Sequence, residues 1–175
     1  SRIYEEYEKK LRQNNAMDFD DLLLKPIELF QRYKTILDKY QELFRFILID
    51  EYQDTNHTQY VLMKTIAQKY RNICVVGDDA QSIYAFRGAD IRNILDFQKD
   101  YADLKTIRLE QNYRSTKTIL AAADHLIKQN RDQISKHLWT DNHQGEPITL
   151  LTCEDDRDEG NQIVMKIFAE SNRLK

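Results

Sequence analysis

The sequence predicts an α/β fold in which a parallel sheet is flanked by helices. Two short, continuous apolar runs, residues 46–49 and 73–76, have the character of strands covered on both faces, as in parallel sheets. Segments with helical periodicity lie on either side of them, and strand and helix signals alternate along the chain in the doubly wound manner.

The elements follow in order. Residues 1–11 form a charged helix with Ile3, Tyr4, Tyr7 and Leu11 on one face, and Asn14-Asn15 breaks it. Asp18 is the expected N-cap of a second helix carrying Phe19, Leu22, Leu23, Ile27 and Phe30. Pro26 lies inside that stretch, so a kink or break is expected near Lys25. A third helix over residues 35–43 leads into a strand at 45–50, and a fourth spans 58–69. The second strand covers residues 72–77, and residues 90–99 look helical. A third strand is expected at 105–109, a helix capped by Ser115 or Thr116 through residue 128, a fourth strand at 148–152, and a last amphipathic helix at 155–170.

Composition narrows the functional classes. An apolar content of 41% supplies a core, and only four glycines and two prolines argue against disorder. No apolar run is long enough to span a membrane, and no signal-peptide pattern is present. The net charge of −3 means that any contact with nucleic acid runs through a local groove with stacking rings, not a general basic field. Cys74 and Cys153 lie far apart in apolar surroundings and are expected to be buried free thiols, in keeping with a reducing cytoplasm. The four histidines show no metal-ligand spacing.

Three segments carry the chemistry. The first strand runs directly into Asp50-Glu51. The end of a strand is where open α/β sheets bind ligands. One carboxylate there can hold a divalent metal while its neighbour activates water, the division of labour that nucleotide hydrolysis requires. The plainer alternative is a solvated strand end leading into a helix N-terminus, which favours acidic residues on electrostatic grounds.

The second strand ends in Gly77-Asp78-Asp79-Ala80-Gln81-Ser82-Ile83-Tyr84-Ala85-Phe86-Arg87-Gly88-Ala89-Asp90. Gly77 permits a tight exit from the strand. Gln81 offers a donor and an acceptor to a phosphate oxygen or an attacking water. Tyr84, Phe86 and Arg87 can stack nucleobases and hold a backbone phosphate. Alternatively, the two rings pack under the loop and Arg87 pairs with Asp90. The third segment is Gln111-Asn112-Tyr113-Arg114-Ser115-Thr116. Arg114 could reach a transferring phosphoryl group and Tyr113 could stack on a purine. Alternatively, Arg114 pairs with Glu110.

Together with Asp50-Glu51-Tyr52-Gln53-Asp54-Thr55-Asn56, these segments closely resemble motifs II, III and IV of the UvrD/Rep/PcrA-type superfamily 1 DNA helicases. The run Asp18-Phe19-Asp20-Asp21-Leu22-Leu23 and Leu138-Trp139-Thr140 also look like that family, and the resemblance covers essentially the whole chain. It implies a RecA-like P-loop NTPase fold. Residues 1–17 would end the helical 1B subdomain, 18–103 would form the second half of lobe 1A, and 104–175 the N-terminal part of lobe 2A. It implies ATP and Mg2+ as cofactors, with single-stranded DNA and duplex junctions as partners, in DNA repair or replication. Asp50 would hold the magnesium and Glu51 would be the base. Gln81 would contact the γ-phosphate, Tyr113 would stack on adenine, and Arg114 would act as an arginine finger. Tyr84, Phe86 and Arg87 would face single-stranded DNA, with Phe86 where the family often has Trp.

The 175 residues contain no Gly-x-x-x-x-Gly-Lys-Ser/Thr loop to cradle the phosphates. The chain therefore reads as an internal fragment of a longer helicase, expected to be inactive alone. Two other readings compete. One is a non-catalytic DNA- or partner-binding module. The other is a two-metal nuclease cluster of Asp50, Glu51, Asp54, Asp78 and Asp79, which leaves Gln81, Tyr113 and Arg114 without a task.

Overall fold

Two parallel strands organise the larger part of the molecule: β1 (Ile47–Ile49) and β2 (Ile73–Val75), in the register Ile47↔Ile73, Leu48↔Cys74, Ile49↔Val75. The computed structural model describes residues 2–130 and 133–173. It divides into two compact units. The first comprises Ser1–Arg108 and Asn130–Ser135, the second Leu109–Gln129 and Lys136–Lys175. Each is described by itself.

In the first unit the helices are α1 (Arg2–Gln13), α2 (Asp21–Arg32), α3 (Lys34–Leu43), α4 (His57–Ala67), α5 (Arg92–Leu95) and α6 (Phe97–Asp100). Ser1, placed in the first helix by its sequence pattern, lies outside the described residues. Asn15 adopts a left-handed conformation (φ 47°) just past the end of α1. Helix α2 starts three residues after Asp18, yet Asp18 still supplies the capping bond, accepting from the Asp21 N–H at 2.9 Å. Pro26 does not break α2 at Lys25. The helix packs against both α3 and α4, and that packing outweighs the cost of about 3 kcal/mol for an internal proline. Gln41 of α3 is buried and donates to the Thr65 carbonyl of α4 at 2.8 Å. Helix α4 opens with a reciprocal capping box between Asn56 and Gln59.

Alternation along the strands sets the core. Ile49, Ile73 and Val75 pack against a buried cluster of Tyr52, Met63, Phe97 and Tyr101. The Tyr52 and Phe97 rings meet edge to face at 5.4 Å, and Phe97 stacks on Tyr101 at 4.7 Å. The opposite face is uncovered among the described residues: Leu48 is 78% exposed, and Cys74 beside it is exposed as well. The expectation of strands buried on both faces, and of a buried thiol at Cys74, is therefore corrected. Cys74 is one residue out of phase with Ile73 and Val75 and so points away from the core. The helix expected over residues 90–99 divides into α5 and α6 at Asp96, which sits at φ −95°, ψ 1°.

The second unit holds α7 (Lys117–Ile127) and α8 (Asp156–Arg173). Thr116 precedes α7 but makes no capping hydrogen bond through its side chain. It is pressed instead against Gly145 (φ 80°), where any β-carbon would fall within 2.4 Å of the threonine hydroxyl. The strands expected at 105–109 and 148–152 do not form among the described residues. Extended backbone meets only at a parallel bridge between Gln111 and Trp139. A strand exists only when a neighbour takes its backbone groups, and Ile107, Leu109 and Leu150 are 71%, 80% and 90% exposed.

Candidate functional site

The polypeptide leaves β1 through a strained residue. Glu51 lies at φ 50°, ψ 41°, in the left-handed region. For a residue with a β-carbon this costs roughly 1–2 kcal/mol. Both sides of it are anchored. The ladder continues past the strands, with the Val76 N–H donating to Ile49 O at 2.8 Å and the Tyr52 N–H to Val76 O at 2.9 Å. The Tyr52 ring is fully buried and Gln53 is 1% exposed. The left-handed twist therefore turns the Glu51 side chain outward while Tyr52 and Gln53 turn in. Asp50 and Glu51 are both exposed at the strand end. One Asp50 oxygen accepts from the Glu51 N–H at 2.9 Å.

Gln53 connects this turn to the loop after β2. Its Nε2 donates to Glu51 Oε2 at 2.8 Å, and its Oε1 accepts from the Asp78 N–H at 3.0 Å. Gly77 allows the approach, because a β-carbon there would stand 2.7 Å from Gln53 Oε1 and 2.9 Å from Ile94 Cδ1. The requirement for glycine is thus one of space. Asp78 caps the following short turn by accepting from the Ala80 N–H at 3.0 Å, and it accepts from Gln81 Nε2 at 2.9 Å. Glu51 and Gln81, recognised separately in the sequence, are joined by one continuous line of hydrogen bonds. Gln53 lies within the first motif, but the resemblance gives it no role. An amide buried by tertiary packing leaves no periodic signal in one sequence.

Downstream, the loop presents Tyr84, Phe86 and Arg87. Phe86 is 78% exposed and Tyr84 38%. Their rings lie 6.0 Å apart, with the Arg87 guanidinium 5.3 Å and 5.4 Å from the two centroids. The alternative in which the rings pack under the loop and Arg87 pairs with Asp90 does not hold. Asp90 is taken by Arg92 through both carboxylate oxygens, which holds its carboxyl below the ordinary range. Gly88, at φ 86°, closes the turn behind Arg87. The segment is fastened to the first turn by Asn93, whose Nδ2 donates to Thr55 O at 2.9 Å.

In the second unit Tyr113 is 78% exposed and its hydroxyl donates to Gln111 Oε1 at 2.7 Å. Asn112 Oδ1 accepts from the N–H groups of Arg114 and Ser115 at 3.0 Å and 2.8 Å, which fixes the turn. The Arg114–Glu110 pair does not form; Glu110 accepts from the His137 N–H instead. The acids of the nuclease reading do not converge. Asp79 turns inward to the Ile134 N–H at 2.8 Å, Asp78 serves the loop, and among the described residues no three His, Cys, Asp or Glu side chains gather as a metal site.

A sequence model of the UvrD/REP helicase N-terminal domain matches residues 1–102. The chain belongs to the UvrD/REP helicase family. The UvrD-like helicase C-terminal domain matches residues 107–175. The chain is 52% identical over 173 residues to a Staphylococcus aureus protein named ATP-dependent DNA helicase PcrA, covering 99% of this chain and 24% of that protein. It is 54% identical over 165 residues to a Rickettsia typhi protein named DNA helicase II, covering 94% of this chain and 25% of that one. The chain thus spans about a quarter of the length of the curated UvrD-type relatives it matches. Among the described residues no helix is long and apolar enough to cross a membrane.

Proposed function

We propose that this chain is part of an ATP-dependent DNA helicase that couples Mg-ATP hydrolysis to movement on single-stranded DNA and to duplex unwinding, in DNA repair or replication. The names of its relatives support that class. The observation that carries the reading is the turn after β1, where a strained, outward Glu51 carboxylate stands beside Asp50 on a 2.8 Å bond from a buried amide. Strain of this kind persists only where surrounding structure enforces it, and it gathers at working sites. In this reading residues 18–103 belong to RecA-like lobe 1A, 104–175 to lobe 2A, and 1–17 to the end of the 1B subdomain.

Glu51 takes the proton of the attacking water, held ready by Gln53. Asp50 suits a magnesium ion, because one of its oxygens serves the Glu51 N–H and the other is open to a single coordination position. Magnesium usually takes only one or two carboxylates beside its waters and the nucleotide phosphates. When bound, it offsets charge developing on those phosphates. Gln81 senses the γ-phosphate. Tyr113 stacks on adenine, and Arg114 counters charge on the transferring group. Tyr84, Phe86 and Arg87 grip single-stranded DNA by stacking and cation–π contact.

The test is Glu51→Gln in the full-length protein. Turnover stimulated by single-stranded DNA should fall about 100-fold or more, the usual weight of a general base, while Mg-ATP still binds. Near-normal turnover would remove Glu51 from the role of base. DNA binding without any nucleotide turnover in the unaltered full-length protein would favour a purely binding module instead.

A further inference from the structure

Gln53 lies between two features that the proposed function uses and belongs to neither. Its amide is 1% exposed, and both ends are bonded. The orientation of the amide is forced. The Asp78 N–H can only donate, so Oε1 must face it, and Nε2 is left to face the Glu51 carboxylate. A third bond joins the same pieces: Ser82 Oγ donates to the Gln53 carbonyl at 3.3 Å. The loop it holds continues through the Asp78 carboxylate to Gln81.

We propose that Gln53 is a positioning residue: it fixes which oxygen of Glu51 is presented to the attacking water, and it ties that orientation to the place of the 77–82 loop, and so to Gln81. The inference rests on Glu51 being the base. A donor on Oε2 leaves Oε1 to receive the proton. Because one rigid amide carries both bonds, a displacement of the loop carries the Asp78 N–H away from Oε1 and rotates Nε2 off Glu51. Hydrolysis then depends on the loop being seated, although the loop contributes no group that takes the proton. Gly77 belongs to the same device, since any larger residue would push the loop off the amide.

Two substitutions in the full-length protein separate the ends of the amide. Gln53→Met preserves volume and removes the bonds to Glu51 and Asp78, together with a longer 3.5 Å bond to Asp54. Gln53→Glu can still accept from the Asp78 N–H but has no N–H for an ionised Glu51. Both should lower kcat for DNA-stimulated ATP hydrolysis about 100-fold, the scale on which misplacing a reacting group acts. KM for ATP and affinity for a non-hydrolysable ATP analogue should change less than about two-fold, as expected when an interaction acts only on the reacting step. Hydrogen exchange at the Asp78 amide should quicken in Gln53→Met and stay slow in Gln53→Glu. In a Glu51→Gln background, Gln53→Met should add almost nothing to the loss, because the group being positioned is already gone.

A folded variant of either kind with kcat within about two-fold of the parent would overturn the proposal. So would equal loss of nucleotide affinity and kcat, which marks simple structural damage, or full additivity with Glu51→Gln. If Glu51→Gln itself retains turnover, the underlying assignment of the base fails. If Glu51→Gln is dead and Gln53→Met is not, only the role of Gln53 fails.

Discussion

Gly77→Ala tests the packing of the site through a single carbon atom. The new β-carbon would stand 2.7 Å from Gln53 Oε1, 2.9 Å from Ile94 Cδ1 and 3.2 Å from the Tyr52 nitrogen. Two of the three contacts are too short to persist, and the third is with backbone. Ile94 can yield, since it is a partly buried side chain packed at the margin of the core cluster. Gln53 cannot yield without losing the Asp78 N–H bond, and Tyr52 is fixed by a fully buried ring. Overpacking costs about 1–3 kcal/mol, and a lost buried hydrogen bond adds about 1 kcal/mol. The sum, roughly 2–4 kcal/mol, should lower the unfolding temperature of the domain by about 5–15 °C. Thermal unfolding of the full-length variant measures this directly, with ATP turnover read alongside. Turnover should also fall at temperatures where the variant remains folded, because Glu51 loses its donor. An unfolding temperature within about 1 °C of the parent, with normal turnover, would show that the loop after β2 has room to spare and would refute this account of the site.

The remaining expectations are smaller. Phe86→Ala should weaken binding of single-stranded DNA by about 1–3 kcal/mol, the value of one base on an aromatic ring, with fold stability unchanged because the ring is already exposed; fluorescence anisotropy with a labelled oligonucleotide measures it. Tyr52→Phe should raise stability by about 1 kcal/mol in urea unfolding, since the Tyr52 hydroxyl is buried with no hydrogen-bond partner among the described residues. Glu42 accepts from Lys69 Nζ at 2.6 Å and the Tyr70 hydroxyl at 2.7 Å, and these bonds lower its pKa from 4.5 to about 2. A depressed carboxylate pKa stabilises the fold above the unfolded value, and the gain is lost as pH falls through the folded one. The stability difference between the parent and Glu42→Gln should therefore be full near neutral pH and vanish between about pH 4.5 and pH 2. A difference that persists below that range would contradict it.

What the sequence disclosed depended on how local each signal was. Helices α1, α3, α4, α7 and α8 follow from periodicity within a few residues, as do the two strands. The segments at 105–109 and 148–152 carry apolar residues that also suggest strands, yet no strand forms there among the described residues, and Ile107, Leu109, Ile148 and Leu150 are exposed. Pairing is a property of the neighbour, and no pattern within a run supplies one. Pro26 misled for a related reason, since local propensity marks a break and helix packing overrules it. Cys74 shows that a run of four apolar residues does not reveal how many faces are covered. At the candidate site Asp50, Glu51, Gln81, Phe86 and Arg87 stand out in the sequence through the resemblance to helicase motifs, and the structure leaves all five exposed. The role of Gln53 and the reason for Gly77 do not stand out, because both depend on a contact between segments about 25 residues apart.

The geometry of the turn after β1 has its source in the core. A left-handed Glu51 costs roughly 1–2 kcal/mol, and the side chain of Glu51 makes only one bond, the part-buried one from Gln53. The compensation lies one residue on. Burying the Tyr52 ring removes on the order of 150–200 Å² from water, worth about 4–5 kcal/mol, and the ring reaches Phe97 only if the chain reverses sharply at residue 51. The Tyr52 N–H bond to Val76 O fixes the same reversal from the backbone side. Packing thus drives Tyr52 inward and, by geometry, Glu51 outward onto Gln53. The orientation of the carboxylate is set by the core, and the stability that holds it comes from residues buried beneath the turn.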